Sequence, residues 1–117
     1  MFRNLHLLRS VSNDIHNNVI NGEVRISLLE QDTSIGLIQY RPHNGQIGLL
    51  FIDKKYRGKG LGTSLLLIAM NEIIVHNVDN IWCVTRKDHP YWSRLMDFKY
   101  KYPVHNSVTG AGYSMKL

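Results

Sequence analysis

The chain has 117 residues, enough for one compact domain and little more, and its 44% apolar and 20% charged residues suit a folded globular protein. A formal charge of +5 and a pI near 9.5 admit an anionic partner: nucleic acid, an acidic protein surface or a phosphorylated cofactor. The single cysteine, Cys83, excludes an intrachain disulfide, and no apolar run reaches the roughly 18 residues of a membrane span. Residues 65–75 come nearest, but Asn71 and Glu72 interrupt them. The N-terminus lacks the apolar region and cleavage site of a secretory signal, which predicts a soluble, cytoplasmic protein.

Residues 1 to about 22 carry little pattern. Leu5, Leu7 and Leu8 suit a short strand or one helical turn, the run from Ser10 to Asp14 favours a turn, and Asn13, Asn17, Asn18 and Asn21 argue against a long helix. From Glu23 onward Val24, Ile26 and Leu28 alternate with Arg25 and Ser27, predicting a strand with one buried face. Ile35, Leu37, Ile38 and Tyr40 make a second strand, and Arg41-Pro-His-Asn-Gly supplies hairpin turn chemistry. Residues 46–53 are nearly all apolar, which predicts a central strand covered on both faces.

A helix is expected over 62–76, with Thr63 or Ser64 as its cap and Glu72 one turn from His76. It is apolar on most of its circumference, so it is either sandwiched within the domain or covered by another chain. Residues 81–85 form a fourth strand, and the strand–helix–strand order places it parallel to and beside the third. Cys83 lies in this run and is read as a small buried thiol. Asp88 is a plausible cap for a short helix with Pro90 in its first turn, ending near Met96. Phe98, Tyr100 and Tyr102 make a fifth strand that stops at Pro103; 106–112 is a turn region, and Tyr113, Met115 and Leu117 close a last hairpin. The fold class is α+β (α/β): one domain over 1–117, with a mixed, mostly antiparallel sheet, a parallel central pair and flanking helices.

The most informative stretch joins the third strand to the long helix. Gly58, Gly60 and Gly62 alternate within Tyr56-Arg-Gly-Lys-Gly-Leu-Gly-Thr, and Lys54, Lys55, Arg57 and Lys59 surround them with no acid between Lys54 and Thr63. Strand, glycine loop and helix N-terminus together suit phosphate, because the first N–H groups of a helix have no intrahelical partner. A nucleoside triphosphate loop needs its lysine elsewhere. The dinucleotide fingerprint needs G-x-G-x-x-G, and an acid where this chain has Arg86 and Lys87. The six histidines are scattered, and no metal site is expected.

Here the sequence resembles the GNAT superfamily of acyl-CoA-dependent N-acyltransferases. Arg57-Gly-Lys-Gly-Leu-Gly62 fits the family motif [RQ]-x-x-G-x-[GA], and the element order from about Glu23 to the C-terminus fits as well. The resemblance implies a GNAT-like fold with a shortened N-terminal part, only about 22 residues standing where a strand and two helices are usual. It implies acetyl-CoA as co-substrate, its pyrophosphate held across Arg57, Gly58, Lys59, Gly60, Leu61, Gly62 and Thr63. Its pantetheine arm would lie along Leu50, Phe51 and Ile52, where the two parallel strands splay apart. An amine of a small molecule or protein would then attack the thioester directly.

The family's second signature falls on the short helix and is degraded: Asp97 stands where glycine is usual, before Phe98. Two registers leave Tyr91, Ser93 and His89 as candidate acids for the leaving thiolate, against packing roles for Tyr91 and Trp92. Asp53, closing the third strand, is the candidate base or merely balances Lys54 and Lys55. A CoA-binding or protein-binding domain that has lost catalysis is the alternative, and a nucleic-acid module rests on charge alone. The over-apolar helix and short N-terminus favour a homodimer.

Overall fold

The computed structural model describes residues 4–16, 19–85, 90–104 and 108–117. Ten elements follow in order: β1 (Leu5–His16), β2 (Val19–Glu30), β3 (Thr33–Arg41), β4 (Gln46–Ile52), a 3-10 turn (Lys54–Tyr56), α1 (Leu61–Val75), β5 (Asn80–Thr85), α2 (Pro90–Leu95), β6 (Asp97–Val104) and β7 (Val108–Lys116). The strands form a seven-stranded sheet in the order β1-β2-β3-β4-β5-β7-β6. Only β4 and β5 run parallel; every other neighbouring pair is antiparallel. The expected mixed sheet with a central parallel pair is therefore the fold.

The N-terminal segment differs from the sequence reading. No turn forms over Ser10 to Asp14; β1 runs through it and pairs with β2 from Leu5 opposite Glu30 to His16 opposite Val19. A ladder of that length supplies backbone hydrogen bonds that offset the poor strand propensity of Asn and Asp. Three smaller corrections concern the C-terminal half. The long helix begins one residue early at Leu61, with Gly60 as its cap rather than Thr63 or Ser64. β6 continues through Pro103, which a strand at the sheet's edge tolerates. β7 starts at Val108, inside the expected turn region. Asp88 as a cap, His89 as an acid, and Arg86 and Lys87 lie outside the described residues.

The register divides the sheet into two faces. Val24, Ile26 and Leu28 of β2, with Ile38 and Tyr40 of β3, point to the side on which α1 lies, and all are buried. From the helix come Leu65, Leu66, Ala69 and Ile73, a stripe at helical spacing. The helix is thus neither sandwiched nor polar outside: Leu67, Ile74 and Val75 remain 50–78% exposed. Glu72 does not pair with His76. Its carboxylate accepts from the Tyr40 hydroxyl and pairs with Arg9 of β1, tying the helix to the sheet. Burial, and then the bond to Glu72, push the Tyr40 phenol well above its usual pKa.

The opposite face of β2–β4 carries Arg25, Ser27, Gln39, Leu49 and Phe51. Leu49 and Phe51 are 43% and 47% exposed, so β4 is central in the sheet but covered on one face only. Its continuous apolar run serves two different surfaces, which period alone does not separate.

Candidate functional site

The site begins with the two edges of β4. Along β3 the strand is paired from Arg41 opposite Gln46 to Gly36 opposite Ile52, with one register shift. Gln39 stands opposite Leu49 and Tyr40 opposite Ile47, so Gly48 is the extra residue of a bulge. Along β5 the register holds a single pair, Gln46 opposite Trp82. Trp82 fastens that end twice: its backbone N–H donates to Gly45 O and its indole Nε1 to Asn44 O, both at 3.0 Å. Beyond it the parallel strands part. Because Asp53 N donates to Ile35 O at 2.8 Å, strand alternation turns the backbone groups of Leu50 and Ile52 toward the gap.

The glycine loop closes the wide end of this gap. Gly58 and Gly60 both have φ of +79°, a left-handed conformation that side chains rarely adopt. Gly60 caps α1 without a side-chain hydrogen bond, and the helix has no acid in its first turn. The first helical bond runs from Ser64 N to Gly60 O, leaving the N–H groups of Leu61, Gly62 and Thr63 without intrahelical partners. Lys54, Lys55, Arg57 and Lys59 are exposed around them. Arg57 folds back along the strand: its Nε donates to Ile52 O at 2.8 Å, and its guanidinium stands 5.8 Å from the centre of the Phe51 ring. A Cβ on Gly62 would lie 3.6 Å from Ile52 Cγ1, ordinary contact, so the helix start rests directly on the gap edge of β4.

Between β4, the loop, α1 and α2 lies a cleft of about 500 Å³. Leu50, Phe51 and Ile52 line it from β4; Arg57, Gly58 and Gly60 from the loop; and Leu61, Gly62 and Thr63 from α1. Lys59 is the one expected cofactor residue outside that lining. Tyr56, Pro90, Trp92 and Arg94 also line it, and sequence reading did not assign them to the site. Tyr56 donates to Glu30 Oε1 at 2.7 Å, and that bond raises its pKa.

The three candidate catalytic residues among the described ones, Tyr91, Ser93 and Asp53, part company here. Tyr91 faces the cleft, its hydroxyl 3.4 Å from Thr63 Oγ1 and its ring edge-on to buried Trp92 at 4.9 Å. Ser93 is exposed outside the lining and donates to Pro90 O at 3.5 Å. Asp53 is also outside the lining; its carboxylate accepts from Lys55 N at 3.2 Å and caps the 3-10 turn. Cys83 is 3% exposed and its thiol is pushed up to about 12 by burial, which excludes a thiolate nucleophile near neutral pH. No group of three or more His, Cys, Asp or Glu converges among the described residues.

A splayed parallel pair with an anion-ready loop at its wide end is the construction of an acyl-CoA transferase. The model of the acetyltransferase (GNAT) domain matches residues 4–91, and the chain belongs to that family. Among solved structures it is similar to Ard1 from Thermoplasma volcanium, with a TM-score of 0.65 at 16% identity over 80% of this chain and 70% of that one. A Bacillus anthracis protein assigned as a streptothricin acetyltransferase, in complex with acetyl coenzyme A, gives 0.69 at 12% identity over 100% and 91%. Arabidopsis thaliana Naa50, in complex with the bisubstrate analogue CoA-Ac-MVNAL, gives 0.63 at 14% identity over 80% and 72%. Identities this low show the fold alone. No curated protein matches the sequence.

Proposed function

We propose that the chain is an acetyl-CoA-dependent N-acetyltransferase acting on a primary amine of a small molecule or protein. The observation that carries this is the gap between β4 and β5, closed by Trp82 at one end and opening at the other onto a helix N-terminus that no side chain caps. Backbone N–H groups at the start of α1, those of Leu61, Gly62 and Thr63, suit the pyrophosphate, and Arg57 and Lys59 supply charge. The arm follows the gap edge of Leu50 and Ile52 like an added strand. Gly48 to Ile52 spans about 13 Å at strand rise, enough to carry the thioester toward the bulge.

The amine nitrogen attacks the thioester carbonyl; the C–N bond forms, the C–S bond breaks, and the electron pair leaves on sulfur. Backbone N–H groups on the gap edge polarise the carbonyl, and Tyr91 gives its proton to the thiolate. Tyr91 is preferred to Ser93, whose hydroxyl is engaged with Pro90 O. The ligands in the Bacillus anthracis and Naa50 complexes support the choice of cofactor. A cytoplasmic protein forming a homodimer through Leu67, Ile74 and Val75 belongs to the same reading.

One observation favours the second reading, a CoA-binding domain without catalysis: among the described residues, no carboxylate lines the cleft. Incubation with acetyl-CoA and a panel of amines, peptides and polyamines, read by mass spectrometry, separates the two. Catalysis predicts a product heavier by one acetyl group. Bound acetyl-CoA with no acetylated product leaves the second reading standing.

A further inference from the structure

A carboxylate does reach this region, from the other side of the sheet. A Cβ built on Gly48 would stand 3.8 Å from Glu23 Oε2. Glu23 belongs to β2, and it reaches past β3 to overhang the bulge on the face opposite the helices. Its neighbours there are Gln39, whose Nε2 lies 3.4 Å from Oε1, and Arg41, whose Nη2 lies 3.6 Å from Oε2. Both distances are long for bonds to a carboxylate. With its amide turned, Gln39 instead accepts from Arg25 at 2.8 and 3.2 Å. Ser12 of β1 stands opposite Glu23 in the register. The Glu23 side chain is 30% exposed and Gly48 is exposed, so carboxylate and bulge share one solvent-open recess.

We propose that Glu23 receives the ammonium group of the acceptor at this recess and takes up the proton the amine loses as its nitrogen attacks. The proposal rests on the acetyltransferase reading and supplies an acid–base partner that the described lining of the cleft does not. Cofactor and acceptor then approach from opposite faces and meet at the bulge, where Gly48 presents no side chain between them. The protons balance in three steps: the bound ammonium first sheds one to solvent, the attacking nitrogen's second passes to Glu23, and the thiolate's comes from Tyr91. Glu23 and the tyrosinate return to their starting states by exchange with water. The recess also limits the acceptor. Leu49, 43% exposed, continues from Gly48 on the same face as an apolar ledge, and Phe51 beyond it carries that ledge to the cofactor cleft. Arg41, ion-paired with the carboxylate, and Arg25, beside Gln39, oppose a second positive charge. The substrate class is therefore a monoamine with an apolar body, not a polyamine.

The full chain, acetyl-CoA, and two probe amines, 2-phenylethylamine and spermidine, test this by thiol release. Calorimetry with acetyl-CoA alone comes first; absence of binding there refutes the acetyltransferase reading itself. With binding established, Glu23→Gln is expected to retain acetyl-CoA affinity and melting temperature while kcat/KM for 2-phenylethylamine falls about 10²- to 10⁴-fold. Glu23→Asp restores a carboxylate and recovers part of that loss. A packing role would reverse this order, because Gln keeps the shape and Asp does not. Spermidine is expected to be roughly tenfold the poorer acceptor, from like-charge repulsion. The proposal is overturned by Glu23→Gln keeping the wild-type rate, by Gln outperforming Asp, or by bound acetyl-CoA with neither amine accelerated. Preference for spermidine overturns the substrate class.

Discussion

The two ends of the seam between β4 and β5 both depend on glycine, for opposite reasons. At the closed end Gly45 has φ of +80°, and a Cβ there would lie 2.1 Å from Asn80 O and 3.0 Å from Val78 Cγ1. That glycine is needed because the strands are clamped together. At the open end Gly58 and Gly60 share the same left-handed backbone, yet an added Cβ would meet nothing within 4 Å. Those glycines are needed because the chain must turn, and the space around them is left for something else. A seam pinned so tightly at Trp82 can afford to gape beyond the bulge, and the gape is where the family's chemistry is expected.

The contrast predicts that one class of substitution strikes the fold and the other strikes binding. Gly45→Ala combines left-handed strain with a clash against backbone, a destabilisation of about 3 kcal/mol or more. In a domain of this size, thermal unfolding should come roughly 10–20 °C earlier. A melting temperature within two or three degrees of wild type, about the shift of a surface substitution, would show that the closed end is not clamped.

The next effect separates neighbours on α2. Tyr91→Phe is expected to lower kcat about 10²-fold without changing acetyl-CoA affinity, whereas Ser93→Ala stays within about twofold, since only the first hydroxyl faces the cleft. Equal losses, measured at saturating acetyl-CoA, would mean that the helix presents a different face. The smallest effect expected is at Asp53. Asn caps a turn about as well as Asp, so Asp53→Asn should change stability by less than about 0.5 kcal/mol. As a cap, Asp53 also leaves turnover unaltered. A base at this position would instead lose activity with the same substitution, and steady-state kinetics distinguishes the two.

The parts of this molecule legible in sequence are those whose physics is local. The glycine loop is one, because strand end, left-handed turns and helix start follow one another within Asp53 to Thr63. The apolar alternation of Val24, Ile26 and Leu28 is another, since period 2 reports a buried face directly. β1 was hidden because its Asn- and Asp-rich run forms a strand only by pairing with β2. The choice between Tyr91 and Ser93 depends on how α2 is rotated against the cleft, which the degraded signature does not specify. Asp53 sits at a strand end where capping and catalysis look alike in sequence. Glu23 was least visible: its place over Gly48 exists only once β2, β3 and a one-residue bulge are in register.

The central claim is that the open end of the seam holds acetyl-CoA, and calorimetric titration tests it most directly when wild type and the Gly58→Ala/Gly60→Ala double variant are compared. Strain of about 1–3 kcal/mol at each position should shift the loop away from its binding geometry. The account predicts one-to-one binding by wild type, and loss of binding by the double variant while it retains a cooperative melt. Absence of wild-type binding at high micromolar acetyl-CoA, or equal affinity in the double variant, would contradict it.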